Sequence, residues 1–459
     1  TNLIVILNDN EMSISSNVGA MSRYLTHLRT DSAYIQAKEN FQNFSQKIPF
    51  IGNAANFIFE KMRFGAKFLF LPGMLFEEIH YIGPVDGHNL EDLKEVFQNV
   101  KQMRGPLLIH IKTKKGKGYT YAEQESWKYH GVGKFDIKTG QPLCCSDKED
   151  YSAVFGKKLI ELAEKNKNIL ALTAAMASGT GLLAFQKRFP ERFFDVAIAE
   201  QHGVTFSAGL ACQGMVPVFA VYSTFLQRAY DQIVHDVCMQ NLPVVFAIDR
   251  AGIVGADGET HQGVFDIAYL SHIPNMTLLS PKNKWELEDM LAFAVEFKNP
   301  IAIRYPRGTA SEQFQEHRQK IVYGKSEIIQ KGHKVALLAE GHMLTYAAEA
   351  AELLKQKNNI TAYIVNMRFL KPLDEQMLKE ITKYCENIVT IENGLIQGGF
   401  GSKVLEYYNE NDMNNIKVIR LGFPDKFVEQ GTTEELYQLY GLNGQGIYNS
   451  IIQKGFIND

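Results

Sequence analysis

Apolar residues fall along this chain in short runs of strand length, separated by stretches in which they recur every third or fourth position. The runs are Leu3–Leu7, Leu107–Ile111, Val216–Tyr222, Pro243–Ile248, Val335–Ala339, Ala362–Val365, Ile388–Ile391 and Val418–Leu421. Between them, Leu90, Leu93, Val96, Phe97 and Val100 make one helical face behind Asn89, a residue suited to cap a helix start. Leu287, Met290, Leu291 and Ala294 make another. Strand–helix alternation sustained over most of the chain predicts an α/β protein of three α/β domains with largely parallel sheets. The first run is apolar on both faces, which predicts a central strand of a parallel sheet. With no initiator Met before it, the strands beside it are expected to lie partly upstream of residue 1, and N-terminal sequence is expected to be missing.

Two polar stretches interrupt the alternation. One is Asp136–Tyr151; the other is Gly308–Gly332, around a possible short strand at Ile321–Tyr323. They divide the chain into 1–140, 150–322 and 331–459. Residues 13–60 are polar, dotted with aromatics and weakly periodic, and read as a long excursion.

Length and charge narrow the class further. A chain of 459 residues has room for about three domains. A net charge of -3 gives no electrostatic reason to expect nucleic acid or an anionic membrane as partner. The apolar stretch Phe64–Phe76 is broken by Lys67 and Pro72 and is too short to span a bilayer. Cys144, Cys145, Cys212, Cys238 and Cys385 lack metal-ligand spacing and read as reduced thiols of a cytoplasmic protein. No signal-peptide pattern is visible.

Four clusters carry candidate chemistry. Asn8-Asp9-Asn10-Glu11-Met12-Ser13 follows a strand, where its oxygens suit a hard cation or simply a polar turn. Glu200 is read at the end of an apolar strand, poised for proton chemistry, or else as a carboxylate favoured by a helix start. The densest cluster joins Tyr222–Asp231 to the loop Gly252–Gly263, whose glycines permit close backbone approach to a ligand. In that loop Asp257 and His261 would serve a substrate hydroxyl and carbonyl. Arg304-Tyr305-Pro306-Arg307-Gly308 ends a strand in arginines, suited to phosphate or to a surface ion pair. Glu392-Asn393-Gly394 and Gly398–Gly401 are read as tight turns, a helix start and dimer contacts rather than a ligand site.

In their order these segments resemble the 1-deoxy-D-xylulose-5-phosphate synthase family, transketolase-like enzymes that use thiamine diphosphate. The resemblance also rests on Gly83–His88, Lys114–Tyr119, Ala199–His202 and Met367–Asp374, and covers essentially the whole chain. It implies a diphosphate-binding first domain, a pyrimidine-binding second domain and a transketolase-type third. It implies that Asn10 and the carbonyl of Met12 bind Mg²⁺, that Tyr119 contacts the cofactor, and that Glu200 hydrogen-bonds its aminopyrimidine, on which Phe225 stacks. His130 would reach the reacting centre. Tyr222, Arg228, Asp257, His261 and Arg307 would hold the acceptor substrate. The implied reaction condenses pyruvate with glyceraldehyde 3-phosphate, losing carbon dioxide, in the first step of the non-mevalonate isoprenoid pathway. It would also feed thiamine and pyridoxal phosphate synthesis. A cytoplasmic homodimer follows by the same resemblance. The family's GDG motif does not occur before Asn10, so the chain as it stands is expected to bind Mg²⁺ and thiamine diphosphate weakly. The competing readings are a transketolase, the decarboxylating component of a 2-oxo-acid dehydrogenase, or an inactive truncated form.

Overall fold

The structure, a computed structural model, describes residues 2–10, 12, 80–143 and 148–457. Cys144, Cys145, the 13–60 stretch and the 64–76 run therefore lie outside the described residues. The chain forms two compact units, Thr1–Cys144 and Cys145–Asp459.

In the first unit, β1 (Ile4–Asp9), β2 (His80–Asp86) and β3 (Leu107–Lys112) form a parallel sheet in the order β1-β3-β2. The helix Leu90–Val100 covers it and starts as expected, with Asn89 accepting from the backbone of Glu91 and Asp92. Leu107, Ile109 and Ile111 with Val100 make its small core. Among the described residues β1 is an edge strand, and Leu3, Ile4, Val5 and Ile6 are 42–58% exposed. A run apolar on both faces is buried only where helices cover both faces of its sheet, and among the described residues the helix Leu90–Val100 packs on β2.

The second unit carries two sheets. The larger orders β13-β8-β9-β7-β6-β4-β5, with β4 (Ile169–Thr173), β5 (Phe193–Asp195), β6 (Val216–Tyr222), β7 (Val245–Asp249), β8 (Thr277–Leu279) and β9 (Ile301–Arg304) parallel. Its edge, β13 (Phe369–Lys371), comes from beyond residue 331 and runs antiparallel to β8. The smaller orders β10-β12-β11-β14-β15, where β10 is Glu327–Gln330, β11 Lys334–Ala339, β12 Tyr363–Asn366, β14 Cys385–Leu395 and β15 Lys417–Phe423. The strand placed at Ile321–Tyr323 by its apolar residues is absent. The linker's strand is β10 instead, because Glu327 meets a buried cation there and Ile328 pairs with Val365.

Buried ions join the two sheets. Arg304, at the end of β9, bonds Asp266 at 3.0 Å and Glu340 at 2.9 Å, and donates to the carbonyl of Asn393 at 2.9 Å. This corrects the reading of Arg304 as a phosphate ligand: it is 1% exposed and already holds two carboxylates. A second cluster pairs Lys282 and Arg368 with Glu286 and Glu327 over 2.6–3.1 Å. Glu392 reaches the start of the helix Phe400–Glu410, where its oxygens accept from the amides of Phe400 and Gly401. Burial nonetheless pushes its carboxyl up to about 8.

Replacing Arg304 by Met strands two buried carboxylates. The transition that melts the second unit in urea is expected to lose about 3–5 kcal/mol; an unchanged midpoint would refute the role given to this pairing. His342 supplies a pH prediction. Burial lowers its pKa to about 4, while its Nε2 lies 2.7 Å from the Tyr437 hydroxyl. The unfolded chain binds a proton near pH 6.5, so stability is full above that pH and is lost as pH falls towards 4. The loss should be on the order of 3 kcal/mol, and His342→Gln should flatten this part of the stability–pH profile.

Candidate active site

In the larger sheet the chain runs outward from β4 to β5, then crosses back to β6 and on to β7. The reversal lies between the carboxyl ends of β4 and β6, the place where open α/β sheets bind ligands. Asp195, closing β5, accepts from the amides of Ala175 (2.8 Å) and Ala197 (2.9 Å). It thereby pins the loops that follow β4 and β5, each through a residue at positive φ.

These loops deliver Glu200. Glu200 does not end a strand, as its apolar lead-in suggested; it is the first residue of the helix Glu200–Cys212. Positive φ at Ala197 breaks the extended run three residues earlier. The carboxylate is 2% exposed and meets Arg228 at 2.8 Å. The Arg228 guanidinium is half-exposed and lies 5.1 Å from the centre of the Phe225 ring. Phe225 stacks on Tyr222 at 5.8 Å and meets the edge of His261 at 5.6 Å.

The glycine-rich loop closes the other side. Gly252 and Gly263 exchange backbone hydrogen bonds of 2.7 and 2.6 Å across its base. Thr224 donates to the carbonyl of Thr260, tying the loop to the Tyr222–Arg228 segment. Asp257 sits 2.7 Å from Arg307, which also donates to the carbonyl of Val254. Burial raises the Tyr222 pKa, with Arg250, Asp249, Arg307 and Asp257 all acting on it. Seven predicted residues thus gather beyond the carboxyl ends of the sheet's strands: Glu200, Tyr222, Phe225, Arg228, Asp257, His261 and Arg307.

One neighbour, which the sequence marks only as the end of a strand, joins them. Arg250 covers the Tyr222 ring at 4.1 Å, pairs with buried Asp249 at 2.9 Å, and donates to Ser152 and to the carbonyl of Gly179. A side chain on Gly179 would come within 1.7 Å of the Tyr222 hydroxyl, so that glycine makes room for the phenol. Position 250 directly after an apolar strand, beside a carboxylate, was the available signal.

The other four predicted residues belong to the first unit. The Asn10 side-chain oxygen accepts from the amide of Met12 at 3.0 Å, in a turn just beyond β1. Glu11 and Ser13 lie outside the described residues. Asn10 Oδ1 and the Met12 carbonyl are hard oxygen donors, which fit Mg²⁺ in kind and would make two of its six ligands. Tyr119 heads the helix Thr120–Gln124, and its hydroxyl donates to the carbonyl of Ile137 at 2.9 Å. His130 Nδ1 lies 3.0 Å from Lys115 Nζ. Burial, then the Lys115 charge, lowers its pKa and favours a neutral imidazole.

Residues 1–113 match the family model of 1-deoxy-D-xylulose-5-phosphate synthase. Residues 147–312 match the transketolase pyrimidine-binding domain, and 324–447 the transketolase C-terminal domain. Among curated relatives, a 1-deoxy-D-xylulose-5-phosphate synthase of Caldanaerobacter subterraneus is 52% identical over 98% of this chain and 72% of its own length. One from Lachnoclostridium phytofermentans is 50% identical over 99% of this chain and 73% of its own. Among solved structures, a split-gene transketolase described as an inactive β4 tetramer is 30% identical, with a TM-score of 0.60. It matches 66% of this chain and 97% of its own. The Campylobacter jejuni transketolase, 16% identical, shares the fold over 98% of this chain and 72% of its own length, at a TM-score of 0.57.

Proposed function

The chain belongs to the 1-deoxy-D-xylulose-5-phosphate synthase family, and from that premise we propose how its residues divide the work. The family's reaction is the decarboxylative condensation of pyruvate with glyceraldehyde 3-phosphate, a transfer that leads into isoprenoid synthesis and uses thiamine diphosphate. Thiamine diphosphate, when bound, supplies the electron sink for breaking and making carbon–carbon bonds.

The observation that carries the assignment is Glu200: a buried carboxylate at the sheet's switch point, paired with one arginine whose guanidinium lies over the Phe225 ring. Its oxygen would hold a proton on the cofactor's aminopyrimidine, and the Phe225 ring would lie against that heterocycle. Arg228 supplies the opposite charge that a buried carboxylate needs. On the other side, Tyr222, Asp257 and His261 would orient the acceptor's hydroxyl and carbonyl, with Arg228 and Arg307 taking its phosphate. The pairing of Arg307 with Asp257 keeps both side chains at the loop before any anion arrives. In the first unit, Asn10 and Met12 would hold Mg²⁺, Tyr119 would contact the cofactor, and neutral His130 would exchange a proton at the reacting centre.

The division of the second unit into domains 150–322 and 331–459, and of the first as 1–140, belongs to the same proposal. So does a cytoplasmic homodimer. Among the described residues Cys212, Cys238 and Cys385 are unbridged thiols, and no helix is long and apolar enough to cross a membrane. Exposed Ile198 and Met239 suit self-association; a monomeric mass by light scattering would refute the dimer.

The decisive assay follows pyruvate consumption with Mg²⁺ and thiamine diphosphate, with and without glyceraldehyde 3-phosphate. Glu200→Gln keeps the side chain's volume but removes its charge, and should lower product formation by about 10²–10⁴-fold without loss of fold. A Glu200→Gln enzyme at the unaltered rate would sink the assignment.

A further inference from the structure

The loop bearing Asp257 and His261 leaves the larger sheet, yet it is gripped from the domain of the smaller one. Asn393, on β14 and fully buried, accepts from the amide of Ile253 through Oδ1 at 3.1 Å. Its Nδ2 lies 3.4 Å from the carbonyl of Ala251 and 3.4 Å from His342 Nε2. Its own backbone is fixed by Glu340 at the amide and Arg304 at the carbonyl. Gly252, at φ +78°, lies so close that a Cβ there would come within 1.8 Å of Asn393 Nδ2.

The loop's other limb is held from the same domain. Gln262 Oε1 accepts from the amide of Val254 at 2.8 Å, and its Nε2 donates to the carbonyl of Glu429 at 3.2 Å. Gln430 reaches the carbonyl of Ala256 at 3.4 Å. By contrast, Glu200 and Phe225 are set by elements of the larger sheet and bond neither Asn393 nor Gln262.

We propose that Asn393 and Gln262 are positioning residues for the acceptor substrate, through which the C-terminal domain sets the stance of the Asp257–His261 loop. This rests on the reading of that loop as the acceptor site. The physical reason is that a short glycine-rich segment cannot hold its own geometry, because each glycine leaves the backbone wide freedom. Two amide side chains that satisfy buried loop amides remove that freedom without touching the substrate. A displacement of about 1 Å at a reacting group can cost up to about a hundredfold. Releasing the grip should therefore act on the acceptor and spare the donor.

The test uses the intact enzyme with Mg²⁺ and thiamine diphosphate. Asn393→Ala is expected to raise KM for glyceraldehyde 3-phosphate by about tenfold or more, leaving KM for pyruvate within about twofold. Amide exchange of the 251–263 peptide should quicken in step, while peptides of the larger sheet stay protected. Gln262→Met, which keeps length and loses both bonds, should show the same selective pattern, and decides the matter if Asn393→Ala does not fold. Equal rises in both KM values, or faster loop exchange with the acceptor KM unmoved, would overturn the proposal. Asp257→Asn separates the two levels. If it leaves the acceptor KM unchanged, the loop is not the acceptor site and this inference falls with that reading. If it raises the acceptor KM while Asn393→Ala and Gln262→Met do not, only the positioning role fails.

Discussion

The buried Arg304 guanidinium organises the contact between the two sheets of the second unit. Arg304 closes β9, and its guanidinium binds Asp266, Glu340 and the carbonyl of Asn393. These partners come from the helix that follows the glycine-rich loop, from the end of β11 and from β14. Removing three ionised groups from water is expensive, and the arrangement stands because fixed hydrogen bonds replace the lost solvent. Ser280 and the amide of Asn393 complete the shell of Glu340. The two sheets are thus held in one orientation by charges whose geometry tolerates little slip.

The candidate site inherits that orientation. Three residues after Arg304, Arg307 reaches Asp257 and the carbonyl of Val254. Asn393, whose carbonyl takes one Arg304 bond, bonds the base of the loop that carries Asp257 and His261. The pieces that would meet an acceptor are therefore linked to the ionic centre by one side chain and a few residues of backbone. Glu200 and Phe225 have a separate origin. They stand at the reversal of strand order, set by Asp195 and by the short helix after β6. The first unit brings its own polar set, with Asn10 at a strand end and His130 beside Lys115.

Much of this was legible in the residues. Uninterrupted apolar runs such as Val216–Tyr222 can satisfy both faces only inside a layered α/β unit, and that run is β6 residue for residue. Asn89 capped its helix because its side chain reaches the first amides wherever the helix lies. The loop Gly252–Gly263 stood out because so many glycines and polar groups have no use in a plain connector. The misreadings share a cause as well. Arg304 and Arg307 look alike in sequence, yet one is sealed between carboxylates and the other is half-exposed. The apolar lead-in to Glu200 reads as strand, but positive φ at Ala197 turns the chain into a helix.

The sequence by itself determined the alternation of elements, the α/β class, the likeness of its ordered motifs to one family, and the short list of residues able to do chemistry. All of these depend on local periodicity or on residue type. Only the tertiary structure decided which charges are consumed by the architecture and which face the site. It placed Arg250 over Tyr222, paired Glu200 with Arg228, and moved an edge strand from the C-terminal segment onto the larger sheet. It also brought Asn393 to Gly252 across 141 positions of chain. Burial and pairing are properties of what surrounds a side chain, and those surroundings are assembled from segments that no local pattern connects.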